Sequence, residues 1–186
     1  VAADDDFIVT AARPDTAATI ANSSFASGGA RILNVTTTGT GDNAKTNTIV
    51  GTDVFGNALT EVITSTGSAE AVAGTKYFKT ITSVTSSAQF AANLKVGATT
   101  SAAQSVGGGI RVRLKGFSIV SGGSAGVIEF IDGTPEDGTV LFKARTIGTD
   151  NTTLDRTIPQ NGELFERGLT IKYTVGTVDM MTFFFA

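Results

Sequence analysis

The sequence of 186 residues contains no histidine, no cysteine and no tryptophan. Without imidazole and thiolate groups, the chain cannot build Ser-His-Asp or Cys-His catalytic sites, histidine-ligated haem, zinc sites based on Cys or His, or disulfide bonds. The lack of cysteine is compatible with synthesis in a reducing cytosol. These classes of site are therefore excluded, and we assign no catalytic residue, no metal ligand and no cofactor.

Charged residues are also scarce, at 17% of the chain, whereas an ordinary domain has roughly 25%. The net charge is −3, and residues 1–105 carry six basic and eight acidic side chains while residues 106–186 carry eight and nine. A nucleic-acid-binding protein would show a clustered basic excess. No apolar run reaches the roughly 18 residues of a membrane-spanning helix. Neither nucleic acid nor a membrane is expected as a partner.

The chain is rich instead in threonine, at about 30 residues, and in glycine, at 22. Threonine is β-branched and favours strands. Apolar and polar residues alternate with a period of two, Gly, Asn and Asp turns interrupt the alternation, and no segment shows a convincing helical period. This pattern predicts an all-β fold made of two antiparallel β-sandwich-like domains in tandem.

The predicted domains cover residues 30–105 and 106–186. Residues 1–29 are weakly patterned and form either an N-terminal extended arm, with one short strand near Phe7–Val9, or the first strands of the first domain. Residues 99–109 are small, and they end in three consecutive glycines, which indicates a flexible linker.

Local turn residues predict three hairpins. The first is TNTIVGTDVFGNALTEVITST, with its connection at Asp53–Asn57. The second joins GVIEFIDG to TVLFKART through the turn Asp132–Gly138, and the third joins TTLDRTIP to LTIKYTV around Asn161 and Gly162. Within IRVRLKGFSIV the apolar face changes at Gly116, which predicts a β-bulge.

Acidic residues are the remaining candidates for metal binding or catalysis. Asp4–Asp6 and the turn Asp132–Asp137 are rich in oxygen, but a calcium site needs about six to eight converging oxygens, and the EF-hand spacing is absent. Two carboxylates could hydrolyse a sugar, yet two tyrosines and no tryptophan provide few aromatic rings to line a sugar cleft. A weak calcium or glycan site stays open at this point.

A basic row is the best charged feature. Arg111, Arg113 and Lys115 alternate along one face of a predicted strand, and Lys143, Arg145 and Lys172 could join them. One interpretation is a solvated sheet face whose cations pair across strands with acidic residues, namely Glu129, Asp155 and Asp179. The other is a surface that docks on an acidic neighbour through complementary charge.

The last predicted strand, VDMMTFFFA, contains Phe183, Phe184 and Phe185 in succession. Because side chains alternate along a strand, Phe184 should point away from Phe183 and Phe185. One sandwich face can cover only one of these two sets. We therefore expect the phenylalanines to be buried by more than one element, either inside the domain or at an interface with a neighbouring subunit.

Three segments of the first domain, GTDVFGNALTEVITSTGS, GTKYFKTITSVTSS and LKVGAT, resemble a pattern found in structural proteins of tailed bacteriophages, especially marine phages. The second half resembles another phage virion module, although its TFFFA ending departs from the aromatic-glycine ending of that module. The matching residues are Arg111–Phe117, Asp132-Gly133-Thr134, Ile158-Pro159, Gly162–Phe165 and Gly168-Leu169. The resemblance covers roughly residues 30–186.

The resemblance implies a non-enzymatic virion structural protein, first of all a capsid decoration or cement protein that binds the capsid exterior and stabilises the shell. A tail, adaptor or fibre-base protein is the alternative within this class, and a carbohydrate-binding module for host surface glycan is the alternative outside it. The implied partners are the major capsid protein or tail proteins, in a virion assembled in the host cytoplasm. A homo-oligomer is expected, with a trimer favoured because local three-fold capsid positions and fibres share that symmetry.

Overall fold

The computed structural model describes residues 3–186. Within this range the chain forms fourteen β-strands and one short 3₁₀ turn, Thr40–Asp42, so the predicted all-β class is confirmed. The same range contains no helix long and apolar enough to cross a membrane. The chain divides into two compact units, of which the first ends at Thr100 and the second runs from Ser101 to Ala186.

Six strands belong entirely to the first unit, and a seventh begins there. They are β1 (Asp4–Ala12), β2 (Ala30–Thr37), β3 (Thr46–Thr52), β4 (Ala58–Thr64), β5 (Val72–Phe78), β6 (Thr80–Ser86) and β7 (Leu94–Val106). One three-stranded sheet has the order β4-β3-β6. In the other set of strands, β2 lies between β5 and β7, and β1 pairs with the start of β7, where Val9 is opposite Val96.

The core of the first unit contains side chains from both sets of strands. Strand β3 illustrates the packing, since Asn47, Ile49 and Gly51 are buried while the residues between them are half-buried, as a period of two requires. The largest fully buried side chains in this core are Ile8, Leu33, Ile49, Phe78, Phe90 and Leu94. The unit is therefore sandwich-like.

Residues 3–29 of the predicted N-terminal segment 1–29 join the first unit in two ways; residues 1 and 2 lie outside the described residues. Strand β1 buries Ile8 and Val9 completely. Further along, residues 16–23 run along β6, because Ala18 N–H donates to the Val84 carbonyl (3.0 Å) and Ser86 N–H donates to the Thr16 carbonyl (2.7 Å). The open edge of β6 is covered in this way.

The second unit contains the end of β7 and seven further strands. These are β8 (Val112–Ser121), β9 (Ala125–Asp132), β10 (Thr139–Ile147), β11 (Thr153–Thr157), β12 (Glu163–Phe165), β13 (Leu169–Thr174) and β14 (Val178–Phe185). Residues 101–106 of β7 pair with β13, β13 pairs with β9, and β9 pairs with β10. In the second set, β11 and β12 pair with successive parts of β8, and β14 pairs with its other side.

Aromatic rings form the centre of the second core. Phe130 is fully buried, and its ring centroid lies 4.9 Å from that of Phe117 and 4.2 Å from that of Phe142. Aliphatic side chains from both sets of strands surround these rings, namely Leu114, Ile119, Ile128, Leu169 and Ile171. This unit is also sandwich-like.

Two local predictions differ from the structure. Residues 99–106 belong to β7 and not to a linker, because residues 101–106 pair with β13 and bury Ala102 and Ala103. Only Gly107–Gly109 of the predicted linker lie outside β7, in a turn with φ of +81°, +65° and +87°. The predicted hairpin of β11 with β13 is wrong, since β11 pairs with β8 whereas β13 pairs with β7 and β9. The hairpins β3–β4 and β9–β10 are confirmed.

The β-bulge predicted at Gly116 is confirmed. The buried positions of β8 change from even to odd numbers at this glycine. On the neighbouring strand, Phe184 lies opposite Gly116 and Phe185 lies opposite Leu114, so Lys115 is the extra residue of β8. The bulge turns the second half of β8 so that its apolar residues still face the core.

Candidate docking surface

The six residues predicted to dock a partner lie together in the second unit. Arg113 and Lys115 are on β8, Arg111 immediately precedes it, and the three phenylalanines end β14. Strands β8 and β14 are antiparallel neighbours, and Arg113 exchanges two backbone hydrogen bonds with Ala186, of 3.1 and 3.0 Å. The basic row and the phenylalanines are therefore adjacent.

The three basic side chains are held at the surface by contacts within the unit. Arg111 Nε lies 3.1 Å from a carboxylate oxygen of Glu166, and both side chains are more than half exposed. Lys115 Nζ donates to the Asn161 carbonyl at 2.7 Å, and the Arg113 guanidinium donates to a neighbouring carbonyl at 3.4 Å. An exposed ion pair contributes only about 0–1 kcal/mol. Arg111 can therefore exchange Glu166 for an acceptor on a partner at small cost, and Arg113 and Lys115 bond to neutral backbone carbonyls that a carboxylate of a partner could replace.

The proposed extension of the row is not formed. Lys143 and Lys172 lie on β10 and β13, in the other set of strands, where their Nζ atoms contact the Glu129 carboxylate at 2.6 and 2.9 Å. The hydrogen bond from Lys143, followed by that from Lys172, holds the pKa of Glu129 below its ordinary value against the opposing effect of burial. For these two lysines the structure has the cross-strand pairing of a solvated sheet face.

The phenylalanines differ in burial. Phe183 packs on the core, edge-on to Phe130, with 6.3 Å between ring centroids. Phe184 and Phe185 are 56% and 57% exposed. Within the described residues β14 pairs only with β8, so the unit does not supply the predicted cover for Phe184 and Phe185.

Phe184 borders a shallow groove on the outer face of β8. The floor of the groove is Gly116, and Asp155 and Thr157 of β11 form the opposite side, with Lys115 beside them. The groove thus combines the exposed ring of Phe184 with several hydrogen-bonding side chains.

A separate cleft of about 420 Å³ opens between the edges of β10 and β11. Sequence reasoning did not identify this cleft, because its lining comes from strands far apart in the chain. Six apolar and four charged residues contribute to the lining, namely Phe117, Phe142, Ala144, Leu154, Ile158, Pro159, Lys143, Arg145, Arg156 and Glu163. In the part of the chain that the structure describes, Glu163 is the one carboxylate along this cleft, so the pair required for glycoside hydrolysis is not present there.

The two acidic clusters, Asp4–Asp6 and the turn Asp132–Asp137, differ in the groups that their oxygens contact. The carboxylates of Asp4, Asp5 and Asp6 lie within 4.8 Å of one another at the surface, and Lys95 Nζ is 3.2 Å from Asp5. A hydrogen bond with Asp4, and then burial and the charge of Asp4, raise the pKa of Asp6. Such exposed clusters are common without an ion.

The turn Asp132–Asp137 is organised around Arg167. Arg167 N–H donates to the Asp132 carboxylate at 2.7 Å, and its guanidinium donates to the carbonyls of Asp132 (2.8 Å) and Asp137 (3.2 Å). Thr134 Oγ1 donates to the Asp137 carboxylate at 2.6 Å. The oxygens of this turn thus accept hydrogen bonds from groups of the protein. They do not form the converging set of oxygen ligands that a calcium site needs.

The polar residues of the segment 51–68 stabilise the fold. The Asp53 carboxylate accepts hydrogen bonds from the N–H groups of Phe55 (2.8 Å) and Asn57 (2.9 Å), and Gly56 has φ of +94° in this turn. Glu61 is only 8% exposed, and it shares the inner face of β4 with Ile63. A carboxylate on the apolar face of a strand indicates, from the sequence alone, that Glu61 accepts hydrogen bonds from groups inside the protein.

Replacing Glu61 by alanine is expected to destabilise the first unit by about 2–3 kcal/mol. The reason is that Glu61 accepts hydrogen bonds from the N–H and Oγ1 of Thr75, at 2.6 and 3.0 Å, and these donors would lose a charged acceptor. Urea unfolding followed by far-UV circular dichroism measures the change. As a control, Thr60→Ala on the exposed side of the same strand should change stability by less than about 0.5 kcal/mol; equal losses in the two variants would contradict this role for Glu61.

Comparison of the chain with protein-family models, with curated proteins and with solved structures found no match.

Proposed function

We propose that this chain is a non-enzymatic structural protein of a tailed-phage virion, and specifically a capsid decoration or cement protein that binds the outside of the shell. The observation that carries the proposal is the docking surface of the second unit, where exposed Phe184 and Phe185 lie beside Arg113 and Lys115. Exposed aromatic side chains next to weakly held cations suit binding to a protein surface that has acidic groups around an apolar centre.

The chemistry of the described residues supports a binding role over catalysis. The chain has no histidine or cysteine, and the cleft between β10 and β11 offers one carboxylate beside apolar side chains. The carboxylates of the segment 51–68, Asp53 and Glu61, accept hydrogen bonds inside their own unit. The clearest polar networks of the first unit thus hold turns and strands together.

The experiment that tests the proposal is quantitative mass spectrometry of purified virions of the phage that encodes this chain. A decoration protein is expected in numbers on the order of hundreds per particle, because it follows the symmetry of the shell. Around a dozen copies would instead favour the tail, adaptor or fibre-base role. Absence of the chain from purified virions would overturn the proposal.

A carbohydrate-binding module is the second candidate, and the groove over Gly116 is the observation that favours it. Phe184 could stack on a sugar ring while Asp155 and Thr157 accept or donate hydrogen bonds to its hydroxyl groups. A glycan array probed with the wild type and with Phe184→Ala tests this reading. Specific signals that Phe184→Ala removes would support it, and a blank array would exclude the glycans tested.

A further inference from the structure

Strand β14 has an open edge. Within the described residues it pairs only with β8, so its other edge has no neighbouring strand. Three large apolar side chains along it are more than half exposed, Met180 at 57%, Phe184 at 56% and Phe185 at 57%. An uncovered strand edge with exposed apolar side chains is a template for pairing with another strand.

The other outer strands of the second unit carry features that discourage such pairing. Strand β10 has Lys143 and Arg145, and β11 has Asp155 and Arg156. Charges on an edge oppose strand addition. Strand β14, in contrast, carries a single charged residue, Asp179 near its start, and its residues 180–185 contain no charged residue and no proline. A strand with apolar side chains and few charges therefore fits the β14 edge best.

We propose that two copies of this chain pair edge to edge through β14, in antiparallel orientation about a two-fold axis at Thr182. Strand β14 itself has the required properties of the occupant, and an antiparallel pair of identical strands is isologous, so that both copies contribute the same residues. The pairing joins the four-stranded sheet of β8, β11, β12 and β14 in one copy to the same sheet of the other copy, so that the two form one continuous sheet.

The register about Thr182 is chemically self-complementary. It places Met180 opposite Phe184 of the other copy, with both side chains on the outer face, because Phe183 faces the core and side chains alternate. Contacts between a thioether and an aromatic ring are favourable, at about 0.3–1.5 kcal/mol each. The only charged residue of β14, Asp179, would lie about 20 Å from its symmetry mate, six residues along the strand.

The backbone is compatible with this register. Ala186 directs its N–H and C=O toward Arg113 of β8. Since these groups alternate along an antiparallel strand, those of Met181 and Phe183 face the open edge and can bond to each other across the axis. Thr182 then meets its counterpart in a pair without direct hydrogen bonds, where the Cα atoms are about 4.5 Å apart.

The first test uses a single cysteine, since the chain has none of its own. Thr182→Cys places two cysteines opposite each other with their Cα atoms about 4.5 Å apart. This distance lies within the roughly 4.4–6.8 Å between Cα atoms that a disulfide allows. Under mild oxidation we expect most of this variant to form a covalent dimer. The matched control is Val62→Cys, at an exposed position on β4 of the first unit, and it should form little covalent dimer under the same oxidation.

The second test is analytical ultracentrifugation over a range of concentrations. The wild type should show a monomer–dimer equilibrium, and Phe184→Lys should weaken dimerisation at least about tenfold because it puts a charge into the paired edge. Val62→Lys, at the same exposure of 56%, should leave the equilibrium unchanged. A wild type that is monomeric at all concentrations, a trimer, or a dimer that Thr182→Cys does not cross-link would overturn the proposal. The dimer does not depend on the proposed virion role, so the two can fail separately.

Discussion

Replacing Asp42 by alanine is expected to lower the free energy of unfolding of the first unit by about 3–5 kcal/mol. The side chain of Asp42 is fully buried, and its carboxylate accepts hydrogen bonds from the N–H groups of Ala91 (2.6 Å) and Ala92 (3.0 Å). It also pairs with Lys45 Nζ at 2.8 Å. Alanine would leave two inward-facing N–H groups and an ammonium group without their charged acceptor.

Urea unfolding and hydrogen exchange resolved by mass spectrometry measure this effect. Exchange should rise most in the segment around Ala91 and Ala92, because Asp42 connects that segment to the 3₁₀ turn. Glu70→Ala, at an exposed carboxylate of the same unit, is the control and should change stability by less than about 0.5 kcal/mol. If Asp42→Ala unfolds at the same urea concentration as this control, the buried carboxylate contributes little to the stability of the first unit.

The same carboxylate adds a pH dependence. Burial alone would raise the pKa of Asp42, but the hydrogen bonds from Lys45, Ala91 and Ala92 outweigh burial and hold the pKa below its ordinary value of 3.8. A depressed pKa stabilises the folded state fully above the pKa of the unfolded chain, and this contribution is lost as the pH falls through the folded pKa. Wild-type stability should therefore drop below about pH 4, and Asp42→Ala should show less of this acid-induced loss.

Phe130→Ala is expected to destabilise the second unit by about 3–5 kcal/mol, enough to unfold it under ordinary conditions if its stability is at the lower end of the usual range. Phe130 is fully buried, and its ring stacks on Phe142 at 4.2 Å and contacts Phe117 at 4.9 Å. Truncation removes these aromatic contacts and leaves a cavity between the two sets of strands.

Differential scanning calorimetry with hydrogen exchange mass spectrometry locates this loss. Protection should fall in residues 101–186 after Phe130→Ala, while Phe130→Leu, which removes less volume, should lower stability less. Phe184→Ala removes an equally large ring from a site that is 56% exposed, and the fold of the isolated chain should tolerate it. Equal destabilisation by Phe130→Ala and Phe184→Ala would mean that Phe184 is also a core residue.

Local sequence features determined the fold class and the turns whose partners are close in the chain. Alternation of apolar and polar residues along β3, β4 and β8 predicted strands, and Gly116 predicted the bulge, because both features depend on backbone geometry within a few residues. The hairpins β3–β4 and β9–β10 followed from short turns rich in Asp, Asn and Gly. The basic row and the phenylalanines could be identified as docking candidates for the same reason.

The tertiary structure alone decided which strands become neighbours. A period of two shows which residues share a face, but it does not specify the adjacent strand, so β11 and β13 were assigned to one hairpin although they lie in different sets of strands. Small residues in β7 indicated a linker when read locally, and only their pairing with β13 makes them part of a strand. Asp42 finds its donors 49 and 50 residues away, which no local pattern encodes. The exposure of Phe184 and Phe185 likewise follows from the position of β14 at an edge, because burial depends on which strand, if any, packs beside it.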